Sequence, residues 1–148
     1  MLKEIVSVSG KPGLYRLISR GKNSIIIESL DDVKKRIPIQ GNEKVISLGD
    51  ISIFTDDGEI SLREVFLLVG EKSDNSVLDF NFRKATNDEL GKYFEQILSG
   101  YDRERVYPSH IKKVFSWYNI LVNQGINDFS ESQLIQEAEQ NLEHPEQA

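Results

Sequence analysis

The stretch Pro108-Ser109-His110-Ile111-Lys112-Lys113-Val114-Phe115-Ser116-Trp117-Tyr118-Asn119-Ile120-Leu121-Val122 sets the architecture of the second half of the chain. Counted from Ile111, its apolar residues Val114, Phe115, Tyr118, Leu121 and Val122 fall at offsets 3, 4, 7, 10 and 11. This is the spacing that lines one face of a 3.6-residue helix. Pro108 suits the first helical turn, where its missing N–H is no loss, and Gly125 is placed to stop the helix. Upstream, Thr86 followed three residues on by Glu89 reads as a capping box, with the apolar stripe Leu90, Tyr93, Phe94, Ile97 and Leu98 behind it and Gly100 at its end. Ser61 with Glu64 repeats the signal ahead of Leu62, Val65, Phe66 and Val69, a helix expected to end near Lys72 at Gly70. Ser130 with Gln133 gives a third capping box, ahead of Leu134, Ile135, Ala138 and Leu142.

The first 60 residues have a different period. Leu14 to Ser19, Ser24 to Glu28, Lys34 to Ile39 and Ile51 to Phe54 read as short strands separated by turn residues: Lys11-Pro12-Gly13, Arg20-Gly21-Lys22-Asn23, Asp31-Asp32 and Asp56-Asp57-Gly58. The run Ile25-Ile26-Ile27 lacks polar alternation, which suggests a strand covered on both sides for part of its length. Pro38 argues for an edge or a strand end. Four or five short strands in so few residues suit a small bent sheet. The fold class expected is therefore α+β, with an N-terminal SH3-like small β-barrel followed by a C-terminal three-helix domain. The expected boundaries are 1–72 for the barrel with its closing helix, 73–84 for a linker, and 85–148 for a helical bundle with a frayed acidic end.

Several stretches in these two halves resemble one bacterial family. In the first half they are Ser9-Gly10-Lys11-Pro12-Gly13-Leu14-Tyr15, Glu28-Ser29-Leu30, Arg36-Ile37-Pro38 and Ile51-Ser52-Ile53-Phe54-Thr55-Asp56. That family is a domain of unknown function. In the second half, Arg105-Val106-Tyr107, Ser109, Ile111-Lys112-Lys113, Trp117-Tyr118 and Leu121 are similar to its helical companion domain. The resemblance implies a small β-barrel followed by a helical domain, and it carries no activity, substrate or catalytic residue.

Composition narrows the function classes. With 39% hydrophobic and 28% charged residues the chain has the makings of a folded core. No run approaches the roughly 18 apolar residues of a membrane span, and the start Met1-Leu2-Lys3-Glu4-Ile5 lacks a secretory apolar run. A cytoplasmic protein with no membrane partner is expected. There is no cysteine, and the two histidines are His110 and His144, so neither a thiolate nucleophile nor a histidine-rich metal site is expected. Charge is uneven. Residues 1–44 carry nine Lys/Arg against five acids, net +4; residues 50–71 are net −5; and Asp128 to the end is net −6.

Catalytic motifs do not emerge. Gly10-Lys11-Pro12-Gly13 lacks the spacing of a phosphate loop and opens a strand. Asp56-Asp57-Gly58-Glu59 puts Gly58 where a calcium loop needs a third-position oxygen. The carboxylate pairs Asp31-Asp32, Asp56-Asp57 and Asp88-Glu89 sit in turns or at a helix start. His110 next to Ser109 has no accompanying oxyanion loop. No enzyme, no cofactor and no metal are expected. The candidate binding surface lies in two places: Arg16, Arg20, Lys34 and Arg36 on the first half, with Arg16 and Arg20 on one strand face and Lys34 and Arg36 on another; and Arg103, Arg105, Tyr107, His110, Lys113 and Trp117 on the second. Arg, Tyr and Trp are enriched where proteins bind one another, so the expected partner is another protein. The alternative is RNA held on the basic face of the barrel, whose binding would weaken steeply with salt.

Overall fold

The computed structural model describes residues 2–40 and 43–130. The helix expected beyond Ser130, and the acidic end with it, lie outside the described residues. After a 3₁₀ turn at Leu2–Glu4 come strands β1 (Ile5–Val8), β2 (Tyr15–Arg20), β3 (Ser24–Ser29), β4 (Arg36–Gln40) and β5 (Val45–Ser47). They form an antiparallel sheet in the order β4-β3-β2-β1-β5: a four-strand meander whose fifth strand returns to the outside of the first. A second 3₁₀ turn at Leu48–Asp50 leads to the hairpin β6 (Ser52–Thr55) and β7 (Gly58–Ser61), then to helices α1 (Leu62–Ser73), α2 (Asn87–Ile97) and α3 (Pro108–Asn123). The class is α+β.

Alternation along the five strands sends Val6 and Val8, Tyr15, Ile27 and Ile39 to one face, where all five are buried, with Leu17, Ile25, Ile37 and Val45 packed against them. Among the described residues, every member of this cluster comes from the five strands. The sheet therefore packs these side chains against one another, and among the described residues no helix joins the cluster. It does not close. The expected barrel is corrected here to an open sheet with β4 and β5 as its two edges. The physical reason lies in those edges: Pro38 has no N–H to give a further ladder, and β5 is three residues long. In β3 the two-sided cover is partial, because Ile27 is fully buried while Ile26, opposite Pro38 on the other face, is only half-buried and belongs to neither apolar cluster.

The larger core lies under the helices. It joins Phe66, Phe82, Phe94, Phe115, Tyr118 and Phe129 to Leu2, Ile5, Leu14, Leu30 and Leu48 from the sheet and its turns. The helix starts follow the sequence signals. Glu64 N–H donates to Ser61 Oγ at 3.3 Å, and Thr86 and Glu89 cap each other reciprocally at 3.1 and 3.2 Å. Gly70 does not end α1. The helix runs on to Ser73, with Asp74 left-handed at its C-terminus, and the missing Cβ at Gly70 makes room for the Asn75 side chain folding back. Residues 73–84 are pinned to the helices. Leu78 and Phe82 are buried, Phe80 stacks on Tyr93 with ring centroids 4.0 Å apart, Leu78 N–H donates to Asn119 Oδ1 (2.9 Å), and Tyr118 Oη donates to Ser76 O (2.9 Å). Trp117 sits half-buried at the rim of the large core. Among the described residues, no helix is long and apolar enough to cross a membrane.

Candidate functional site

The segment from Gly100 to His110 is laid against the outer strand of the β6–β7 hairpin. Gly100, at φ +82°, turns the chain after α2, and its carbonyl accepts from Asp56 N–H at 2.8 Å. Tyr101 forms a bridge with Thr55, and Asp102 N–H donates to Phe54 O at 3.0 Å. Two apolar side chains anchor the segment: Tyr101 packs edge-on to Phe94 (4.9 Å), and Val106 is buried. Gly91 permits the close approach, since a Cβ there would lie 3.1 Å from both Tyr101 Oη and Arg103 Nη1. The intervening polar side chains are thereby left on the surface.

Those surface groups are held in place. Asp102 accepts from Arg105 Nε at 2.8 Å and from Glu104 N–H at 3.0 Å. The Arg105 hydrogen bond, with the Glu104 N–H second, holds the Asp102 carboxyl below its ordinary pKa. Fixed this way, the Arg105 guanidinium lies 4.1 Å from the ring centroid of Phe54, a β6 side chain that remains 39% exposed. Arg103 sits 5.0 Å over the Tyr101 ring and 3.7 Å from Glu95. Burial pushes the Tyr101 hydroxyl above its ordinary pKa. Tyr107 is 55% exposed, and its ring centroid is 5.1 Å from that of His110. Tyr107 N–H donates to His110 Nδ1 at 3.1 Å, so in this arrangement the imidazole accepts at Nδ1 and caps the start of α3. Lys113 is exposed on the next turn. The structure thus brings Arg103, Arg105, Tyr107 and His110 together on one segment, with Phe54 as a member that the sequence did not tie to them. The signal was present in Ile53-Phe54, where alternation buries Ile53 and turns Phe54 outward.

The basic residues of the sheet are dispersed. Arg16, Glu28 and Arg36 lie side by side across β2, β3 and β4, and Arg36 Nε bonds Glu28 Oε2 at 3.1 Å. Arg16 and Arg20 do not share a face, contrary to the sequence expectation. A bulge between Leu17 and Ser19 shifts the register, so Arg16 stands opposite Glu28 whereas Arg20 stands opposite Ile25, three residues away and on the other face. Lys34 precedes β4 and sits in a loop with left-handed backbone (φ +54°), so it does not share a strand face with Arg36 either. No group of three or more acidic or histidine side chains suited to a metal ion occurs among the described residues.

Residues 2–48 match the family model described as Domain of unknown function (DUF5606), and residues 51–121 match Domain of unknown function (DUF6852). A solution NMR structure of a protein from Bacteroides vulgatus is 53% identical, with a TM-score of 0.74, over 87% of this chain and 91% of that one. The chain belongs to this bacterial family. The seam between its two family models falls in the 3₁₀ turn Leu48–Asp50, ahead of β6. No curated protein matches the chain.

Proposed function

We propose that this family member is a non-enzymatic binding module of the bacterial cytoplasm that works through protein–protein contacts made by the Phe54–Arg105–Tyr107–His110 surface. One observation carries the reading: the Arg105 guanidinium, locked by Asp102, stacks on a partly exposed Phe54, with the more exposed Tyr107 two residues away. Arg and Tyr are enriched at interface hot spots, and an Arg already placed by an ion pair and a ring loses less side-chain entropy on association. A polyanion would favour a continuous basic stripe. Here Arg36, Arg103 and Arg105 are each within ion-pair distance of an acid, and Arg16 and Arg20 face opposite ways. The half-wrapped sheet is read as SH3-like on its strand order, with the first strand lying between the second and the fifth.

The test uses the immobilised full chain and a nuclease-treated bacterial lysate at low and high salt. A protein retained at both salts by the wild type and by Arg16→Ala, and lost with Phe54→Ala/Tyr107→Ala, is the expected result. Retention that the double variant leaves unchanged, or that disappears with nuclease or salt, overturns the reading; the latter pattern would indicate RNA.

A further inference from the structure

A cleft of about 250 Å³ lies where the outer face of the sheet, the loop between β3 and β4, and the C-terminal end of α3 meet. Its walls carry Arg16, Glu28, Asp31, Lys34 and Gln124. Arg16 is half-buried, yet its guanidinium has no hydrogen bond or ion pair among the described residues. The acid that faces it across the strand pair, Glu28, is instead engaged by Arg36 at 3.1 Å. A guanidinium presents five N–H donors in a planar fork, and half-burial without a partner leaves donors unused.

The loop that brings Lys34 to the same cleft is built around Asp31. One carboxylate oxygen of Asp31 accepts from Val33 N–H and Lys34 N–H, both at 3.0 Å, and from the Ser29 hydroxyl at 2.8 Å. Ser29 Oγ in turn accepts from Lys35 N–H at 2.8 Å. These bonds hold Lys34 at φ +54°, a conformation unfavourable for a residue with a Cβ, and so fix the backbone from which Lys34 lines the cleft. They also fill one oxygen of the Asp31 carboxylate, which the Lys34 and Ser29 hydrogen bonds pull below its ordinary pKa. On the far wall, Gln124 Nε2 donates to Asp32 Oδ1 at 3.3 Å. Of the charges in the cleft, Glu28 is paired with Arg36 and one oxygen of Asp31 is filled by neutral donors, whereas Arg16 and Lys34 have no ion pair among the described residues.

We propose that this cleft is a binding site for a small oxyanion, with the Arg16 fork taking two oxygens and Lys34 supplying a point charge. A phosphate or carboxylate group fits both donors. The volume is below that of an ordinary drug-sized pocket, and among the described residues no aromatic side chain lines it, so a headgroup with few further atoms fits and a stacked nucleobase does not. The site lies on residues other than those of the proposed protein-binding surface and stands independently of that reading.

The experiment is a titration of the ¹⁵N-labelled full chain, followed by backbone amide shifts at constant ionic strength, with inorganic phosphate, glycerol phosphate and acetate in separate arms. Saturable shifts at Arg16, Val33, Lys34 and Gln124 are expected in at least one arm. Affinity should fall at least tenfold in both Arg16→Gln and Lys34→Gln and stay unchanged in Lys113→Gln. A response to inorganic phosphate alone identifies the free ion, a tighter response to glycerol phosphate identifies a phosphorylated compound, and a preference for acetate identifies a carboxylate. Lys34 is exposed, so its variant keeps the test decisive if Arg16→Gln fails to fold. Shifts that never saturate, or that persist equally in Lys34→Gln, overturn the proposal.

Discussion

The two apolar clusters of the molecule are built on different plans. The one under the helices is large and aromatic, with Phe66, Phe94, Phe115 and Tyr118 fully buried and Phe66 in ring contact with both Tyr118 and Phe129. The one inside the curled sheet has five buried members, of which four are the aliphatic Val6, Val8, Ile27 and Ile39. Among the described residues the first draws on positions from Leu2 to Phe129 and the second on the five strands alone. They meet in β1, where Ile5 points to the large cluster while Val6 and Val8 point to the small one. Large aromatic rings here gather a core from distant chain segments, whereas the alternating aliphatic residues of the sheet make theirs with their strand neighbours.

The largest effect expected from breaking this arrangement is at Phe66. Phe66→Ala should cost about 3–5 kcal/mol, a large share of an ordinary domain's stability, measured by chemical denaturation with Trp117 fluorescence as the probe. Next is Tyr118, whose hydroxyl ties α3 to Ser73 Oγ at 2.8 Å and to Ser76 O at 2.9 Å. Tyr118→Phe should cost about 1–3 kcal/mol, because it strips a partner from those two groups while leaving the ring in place. Ile27→Val, one methylene fewer in the small cluster, should cost about 0.5–1.5 kcal/mol. The informative part of that variant is where the loss shows. Because β1 belongs to both clusters, the Trp117 transition and the amide signals of the sheet should move to the same new midpoint. Sheet signals that melt first while Trp117 holds would mean that the two clusters are independent.

The smallest effect expected is on pH dependence. Asp31, Asp102 and Asp128 all have carboxyls held below their ordinary pKa, by hydrogen bonds from the Lys34 N–H and Ser29, from Arg105 and Glu104, and from Ser130 respectively. The fold therefore favours their charged forms. Their contribution is fully present above the unfolded carboxylate range and is lost as pH falls through the lower folded values. Thermal melts followed by circular dichroism should show no change from these groups between about pH 7 and pH 5, and a falling midpoint below about pH 4. Asp31→Asn/Asp102→Asn should flatten that acid limb.

The helices were legible because their information is local. Capping residues, a leading proline and six apolar positions at helical offsets all lie within one or two turns of what they specify, as at Thr86–Glu89 and Ile111–Val122. The sheet was legible only in part. The bulge in β2 has no glycine or proline to mark it within Tyr15–Arg20, and it shows only in the pairing of β2 with β3. It is this pairing, absent from any local pattern, that sends Arg16 and Arg20 to opposite faces. Glycine commonly ends helices, so Gly70 alone predicts a stop, whereas in the fold it admits Asn75, a contact made by the chain folding back. The candidate site divides the same way: Arg105 and Tyr107 stood out by residue type, but the Phe54 ring beneath Arg105 comes from a strand about 50 residues earlier.

An open sheet has two rims that could recruit strands from other copies of the chain, which is how ordered aggregates begin. In this protein one rim carries Pro38 in the middle of β4, which lacks the N–H that an incoming strand would bond. The other is β5, a strand of three residues and so a short template. The features that leave the sheet unclosed therefore also make its two rims poor templates for an incoming strand.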